Sequence, residues 1–166
     1  MRRLISSIVA LGFAGLVAAT PDLTTVGEGS YRYLFWQLYD ARLASADGTF
    51  SDYQQSRPLL LELTYKREIS KQEFIDATVE QWQKLDNSTA QQQQQWAERL
   101  RELWRDVEEG DQLAALLTKQ GQVQFFFNGT DIGTVQDKAF APAFFDIWLH
   151  PDTMAPDLRR KLIAAE

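Results

Sequence analysis

The chain has one histidine, His150, set between Leu149 and Pro151, and no cysteine. A Ser/His/Asp or Cys/His triad would have to use that imidazole, and no Gly-x-Ser-x-Gly elbow accompanies it. No His-Glu-x-x-His, cysteine pair or EF-hand spacing offers a metal site. At the end of an apolar helix, His150 reads as a terminating residue whose ring satisfies a carbonyl, with the helix dipole favouring its cationic form. Gly27-Glu-Gly29 lacks the third glycine of a dinucleotide fingerprint and reads as a turn into a strand. Asn87-Ser-Thr89 and Asn128-Gly-Thr130 fit the glycosylation sequon, yet loop and turn chemistry explains both without sugar. Arg32 is the remaining candidate, among Tyr31, Tyr33, Phe35 and Trp36. A cation beside aromatic faces can hold the acid group of an apolar ligand, although strand alternation could equally turn Arg32 to solvent.

The segments that must position such residues begin after a leader. The sequence opens Met1-Arg2-Arg3, runs without charge over residues 4–19, and ends that run in Val17-Ala18-Ala19. This is the pattern of a secretory signal peptide cleaved after Ala19. Its 16 uncharged residues fall short of the roughly 20 that a spanning helix needs, so no stable membrane insertion is expected after cleavage. The expectation is therefore a signal peptide at 1–19, one domain at 20–166, and a periplasmic or secreted protein. Removal of the leader leaves 15 basic and 23 acidic residues, a net charge of −8, which disfavours nucleic acid as a partner. A small ligand or another protein is the better match. Without cysteine, the core must hold by packing alone, and 10 Phe, 5 Trp and 5 Tyr supply the surface to bury.

Residues 31–43 are aromatic and branched on both alternating faces, which predicts one buried central strand. Leu59, Leu61, Leu63 and Tyr65 alternate with Leu60, Glu62, Thr64 and Lys66, the period of a second strand joined to the first through Asp47-Gly48. Ser70-Lys-Gln-Glu73 is a capping box opening a helix, with Ile69 and Phe74 at the staple positions. A second helix follows Asp86-Asn-Ser-Thr89, with Gln91 to Gln95 as a solvated face and Trp96, Leu100, Leu103, Trp104 and Val107 as its stripe up to Gly110. Strands are expected at Leu113 to Leu117, at Val123 to Phe127, and at Ile132 to Val135 after the Asn128-Gly129 hairpin turn. Two more helices close the chain, one beginning near Pro142 and apolar around most of its circumference, the other opened by Pro156. Strands, two helices, strands and two helices make an α+β fold.

The order of elements and several local runs together resemble the chalcone isomerase-like family, in its exported bacterial branch. Those runs are Val26-Gly-Glu-Gly, Leu34-Phe-Trp-Gln-Leu-Tyr-Asp-Ala, Ser70-Lys-Gln-Glu-Phe, Gly110-Asp, Asn128-Gly, Phe144-Phe-Asp-Ile-Trp-Leu and Ala155-Pro-Asp-Leu-Arg. The resemblance implies an open-faced β-sandwich, a large antiparallel sheet covered by a layer of helices with a ligand cleft between them. In true chalcone isomerases an arginine on an early strand stabilises the attacking phenolate, helped by tyrosine, asparagine and threonine donors. The tyrosine position falls on Phe74, the asparagine on Gln81 and the threonine on Ile147, while the arginine position falls near Gly29 to Tyr31 with Arg32 adjacent. These substitutions argue against chalcone cyclisation. The resemblance thus implies a non-catalytic binder of a fatty acid-like or haem-like molecule, with Arg32, Trp36, Phe74, Gln81 and Ile147 as ligand-binding residues. Two other readings stand beside it: an isomerase or intramolecular lyase on another substrate, and a protein-interaction module whose core is closed.

Overall fold

The computed structural model describes residues 20–165. The proposed signal peptide at 1–19 lies outside them. Six strands, β1 (Thr24–Tyr33), β2 (Trp36–Ser45), β3 (Leu59–Tyr65), β4 (Gln112–Leu117), β5 (Val123–Phe127) and β6 (Thr130–Val135), form one sheet in chain order, each antiparallel to its neighbour. Four helices, α1 (Lys71–Leu85), α2 (Ala90–Leu103), α3 (Phe140–Leu149) and α4 (Pro156–Leu162), are inserted after β3 and after β6. The architecture is α+β, a single open antiparallel sheet with its helices.

Period-two alternation sorts the sheet faces. Ala41, Leu43, Leu59, Leu61, Leu63, Tyr65, Leu113, Ala115, Leu117 and Phe125 share one buried cluster with side chains of all four helices. Arg42 and Glu62, directly opposed on β2 and β3, lie between those positions on the other face and pair at 2.7 Å. In the helical layer Trp82, Trp96, Phe140 and Phe144 stack edge-on or in parallel around Phe125. α3 is the most apolar helix, with Phe140, Ala141, Ala143, Phe144, Phe145, Trp148 and Leu149 all buried.

Local chemistry sets most element ends. The Ser70 capping box is complete: its Oγ accepts from the N–H of Glu73, and the Glu73 carboxylate accepts from the N–H of Ser70 at 2.9 Å. Thr89 and Gln92 build a second one at the start of α2. Asn128 adopts φ 48° in the β5–β6 hairpin, and its side chain accepts from the N–H of Gln112 while donating to Asp111. The other sequon asparagine, Asn87, donates to Asp146 at 3.2 Å, so both sequon amides have structural partners.

The fold corrects five local expectations. Residues 31–43 are two strands, not one: the chain reverses at Leu34 and Phe35, placing β1 at the sheet edge. α2 ends at Leu103, and Val107 instead bridges Ile69 through reciprocal backbone bonds of 3.0 Å. Gln93 is buried and donates to Ser88, so the glutamine run is not wholly solvated. The His150 ring does not satisfy a carbonyl; its Nδ1 accepts from the N–H of Asp152 at 3.0 Å. Gly27 and Gly29 lie within β1 and not in a turn before it, and α4 rests on them. A Cβ at Gly27 would overlap the Lys161 carbonyl oxygen and come within 2.7 Å of the Leu162 oxygen, so this helix can sit on this strand only over glycine.

Candidate ligand cavity

Between the sheet and helices α1 and α3 lies a cavity of about 530 Å³, within the few hundred to about a thousand Å³ that small-molecule sites occupy. Its sheet-side wall is a run of rings. Tyr31 stacks on Tyr39 at 5.3 Å between centroids, and Tyr39 meets Tyr65 edge-on at 5.9 Å. Phe74 continues the run, 5.0 Å from Tyr65 and 5.5 Å from Trp104. Leu63, Leu113, Phe144, Ile147 and Trp148 fill in the rest of the apolar lining.

The charged groups of the lining, Arg67, Glu68 and Glu73, are all solvent-exposed, so they belong to its mouth. Glu73 is committed to the α1 cap, where bonds from the Ser70 hydroxyl and backbone hold its carboxyl below the usual range. Arg67 lies over the Trp36 ring at 5.0 Å. Beside it the β1–β2 tip exposes Tyr33, Leu34, Phe35 and Trp36, from 60% to 95% of each. An apolar tip, one stacked guanidinium and the carboxylates of Glu68 and Glu73 therefore border a cavity whose interior is uncharged.

Of the residues singled out by sequence, Phe74, Gln81 and Ile147 line the cavity and Arg32 and Trp36 do not. Arg32 is exposed because alternation within β1 turns Tyr31 inward and Arg32 away. Trp36 supports Arg67 from outside. Sequence reasoning missed Arg67, although the same alternation extends Leu63 and Tyr65 to it at the next inward position. It also missed Trp104, which periodicity assigns to the interior of α2 and which in fact ends that helix.

Hydrogen bonding in the interior has two exceptions, and both border the cavity. Trp82 donates to Ala143, Trp96 to Asp137 and Trp148 to the Tyr39 hydroxyl, at 3.1, 2.9 and 2.9 Å. Tyr53 donates to Asp146 at 2.6 Å. By contrast the Tyr65 hydroxyl and the Trp104 Nε1 are buried without a partner among the described residues. Desolvation raises the phenol pKa well above its ordinary value at Tyr65, and raises it at Tyr39 too, so both hydroxyls stay protonated.

A family model described as chalcone isomerase-like matches residues 27–164. The chain belongs to the chalcone isomerase-like family. No curated protein matches its sequence. Among solved structures, the chain is similar to a fatty-acid binding protein of Arabidopsis thaliana, at a TM-score of 0.65 and 10% identity, covering 95% of this chain and 96% of that one. At that identity the likeness establishes the fold. In this chalcone isomerase-like chain, Phe74 and Ile147 present hydrocarbon to the cavity, and Gln81 alone of the three brings a polar group.

The lining contains neither histidine nor lysine, and Thr78 directs its hydroxyl to the Phe74 carbonyl at 2.8 Å. Among the described residues no cluster of His, Cys, Asp or Glu converges as a metal site. The arrangement can enclose an apolar molecule, offer uncharged donors to its oxygen atoms and meet an acid group with Arg67. Its carboxylates, Glu68 and Glu73, stand at the mouth.

Proposed function

We propose that this chalcone isomerase-like protein is a non-catalytic carrier or sensor of a small apolar or amphipathic molecule, bound between the sheet and helices α1 and α3. The observation that carries the reading is an apolar cavity of about 530 Å³ whose charged groups stand only at its mouth. Such a volume does not fit an interaction module with a self-filled core. The fatty-acid binding protein that shares the fold lends a ligand class, a chain with an acid head. Arg67 is placed to receive that head in the role first assigned to Arg32. For haem the lining offers no histidine, and its possible axial ligands are tyrosines such as Tyr31 and Tyr33 and the thioether of Met154.

Laurate should raise the thermal midpoint of the mature chain, because a ligand that binds only the folded state stabilises it. Replacing Arg67 with alanine should weaken laurate about tenfold, the worth of one charge-assisted hydrogen bond, without unfolding the protein. Absence of any shift across lipids, flavonoids and porphyrins would sink the reading. An isomerase would instead reveal itself by turning over a chalcone or related enone. Export belongs to the same proposal: the leader pattern at 1–19 supports it, and mass spectrometry of a periplasmic fraction should find a chain beginning at Thr20.

A further inference from the structure

We infer that the buried end of the ligand carries an uncharged carbonyl group, taken up by the Tyr65 hydroxyl and the Trp104 indole N–H. The inference rests on the proposed ligand cavity and adds the chemistry of its inner end. Tyr65 is fully buried and Trp104 is 5% exposed. Both residues line the cavity, both lack a partner among the described residues, and both rings contact Phe74; the hydroxyl and the indole N–H are themselves covered, so a ligand oxygen reaches them as the surrounding rings part. The remaining buried indoles and the Tyr53 phenol are all paired, so these two orphans are not a general looseness of the core.

An unpaired buried donor destabilises a fold, so two on one cavity wall select for whatever relieves them. An indole N–H only donates, which requires an acceptor on the ligand. A carbonyl oxygen has two lone pairs and can accept from both groups. The acceptor should be neutral, because the cavity's only cation, Arg67, is exposed at the mouth and a bare carboxylate at the inner wall would lack a counter-charge. Tyr31, Tyr39, Phe74 and Phe144 then enclose a flat or hydrocarbon remainder. An acid group at the opposite end, if the ligand has one, reaches Arg67.

The test compares acetylnaphthalene with ethylnaphthalene, a ketone and a hydrocarbon of matched shape, binding the mature chain and followed by tryptophan fluorescence. The ketone should bind about tenfold tighter, the value of one net hydrogen bond at such a site. Its bound carbonyl stretch should move to lower frequency. Tyr65→Phe should cut the preference and Tyr65→Phe with Trp104→Phe should abolish it, bringing the ratio of ketone to hydrocarbon affinity within each variant to about one and returning the carbonyl stretch toward its unbonded position. Because Tyr65→Phe removes a hydroxyl without a partner, its thermal midpoint should equal or exceed that of the parent chain. Equal binding of the two probes by the parent chain would overturn the inference and leave the apolar cavity standing. A lowered midpoint in Tyr65→Phe would also overturn it, since it would mean that the hydroxyl is already paired. Failure of both probes to bind would overturn the inference, and the ligand reading would fall with it only where laurate also leaves the midpoint unchanged.

Discussion

Leu34 sits at the β1–β2 tip with φ 54° and 76% of its surface exposed. A branched-chain residue in the left-handed region is strained by its Cβ, by about 1 to 2 kcal/mol. Asparagine tolerates that conformation through its short polar side chain. Leu34→Asn should therefore raise stability by about 1 kcal/mol in urea unfolding, whereas an unchanged midpoint would mean that the turn rearranges without cost. At the same scale, the exchange of Arg32 for Arg67 as the cation at the cavity depends on one alternation step. Residue types near an aromatic cluster were legible in the sequence; the face each one occupies was not, because it depends on where the hairpin turns.

Helix α4 and strand β1 meet through backbone, and this is where an element-scale substitution should act most sharply. Gly27→Ala places a methyl group against the Lys161 and Leu162 carbonyl oxygens, neither of which can swing aside like a flexible side-chain end. A loss of about 3 kcal/mol is expected from such overpacking, with hydrogen exchange rising first in α4. Capping supplies a milder case. Ser70→Ala removes the acceptor for the Glu73 N–H and should cost about 1 kcal/mol in unfolding free energy. The Ser70 capping box and the Asn128-Gly129 turn were legible because their physics spans three or four residues. The end of α2 was not: Trp104 and Val107 continue its apolar period, but the Ile69–Val107 bridge draws the chain out of the helix to meet a segment 38 positions earlier.

Across the whole molecule, stability should form a plateau in pH with an edge on each side. Hydrogen bonds lower the carboxyl pKa of Asp40, mainly through Lys66 and Ser30, and of Asp47, Glu73 and Asp111 through neighbouring side chains and backbone. A lowered folded-state pKa contributes stability above the ordinary carboxylate value, and that contribution is lost as pH falls through the shifted ones, so acid unfolding should begin below about pH 4. Desolvation raises the phenol pKa of Tyr39, Tyr53 and Tyr65. A raised pKa gives stability that is complete below the ordinary phenol value and declines as pH climbs past about 10. Denaturant midpoints across that range should fall at both ends, and phenolate absorbance of these tyrosines should appear together with unfolding. Titration of all five tyrosines in the folded chain would contradict the burial described here.

The sequence by itself determined the α+β class, the alternation of β3, the capped start of α1 at Ser70 and the family of the chain. These are short-range or recurrent patterns, written in neighbouring residues. The tertiary structure alone decided that the apolar stretch of residues 31–43 is a hairpin with an exposed tip, that Arg67 and not Arg32 reaches the cavity, and that Tyr65 and Trp104 end beside it without partners among the described residues. Each of those outcomes depends on packing between segments far apart in the chain. Periodicity can say that a side chain faces inward, but only the assembled layers settle whether it meets a carbonyl, another ring or an enclosed space.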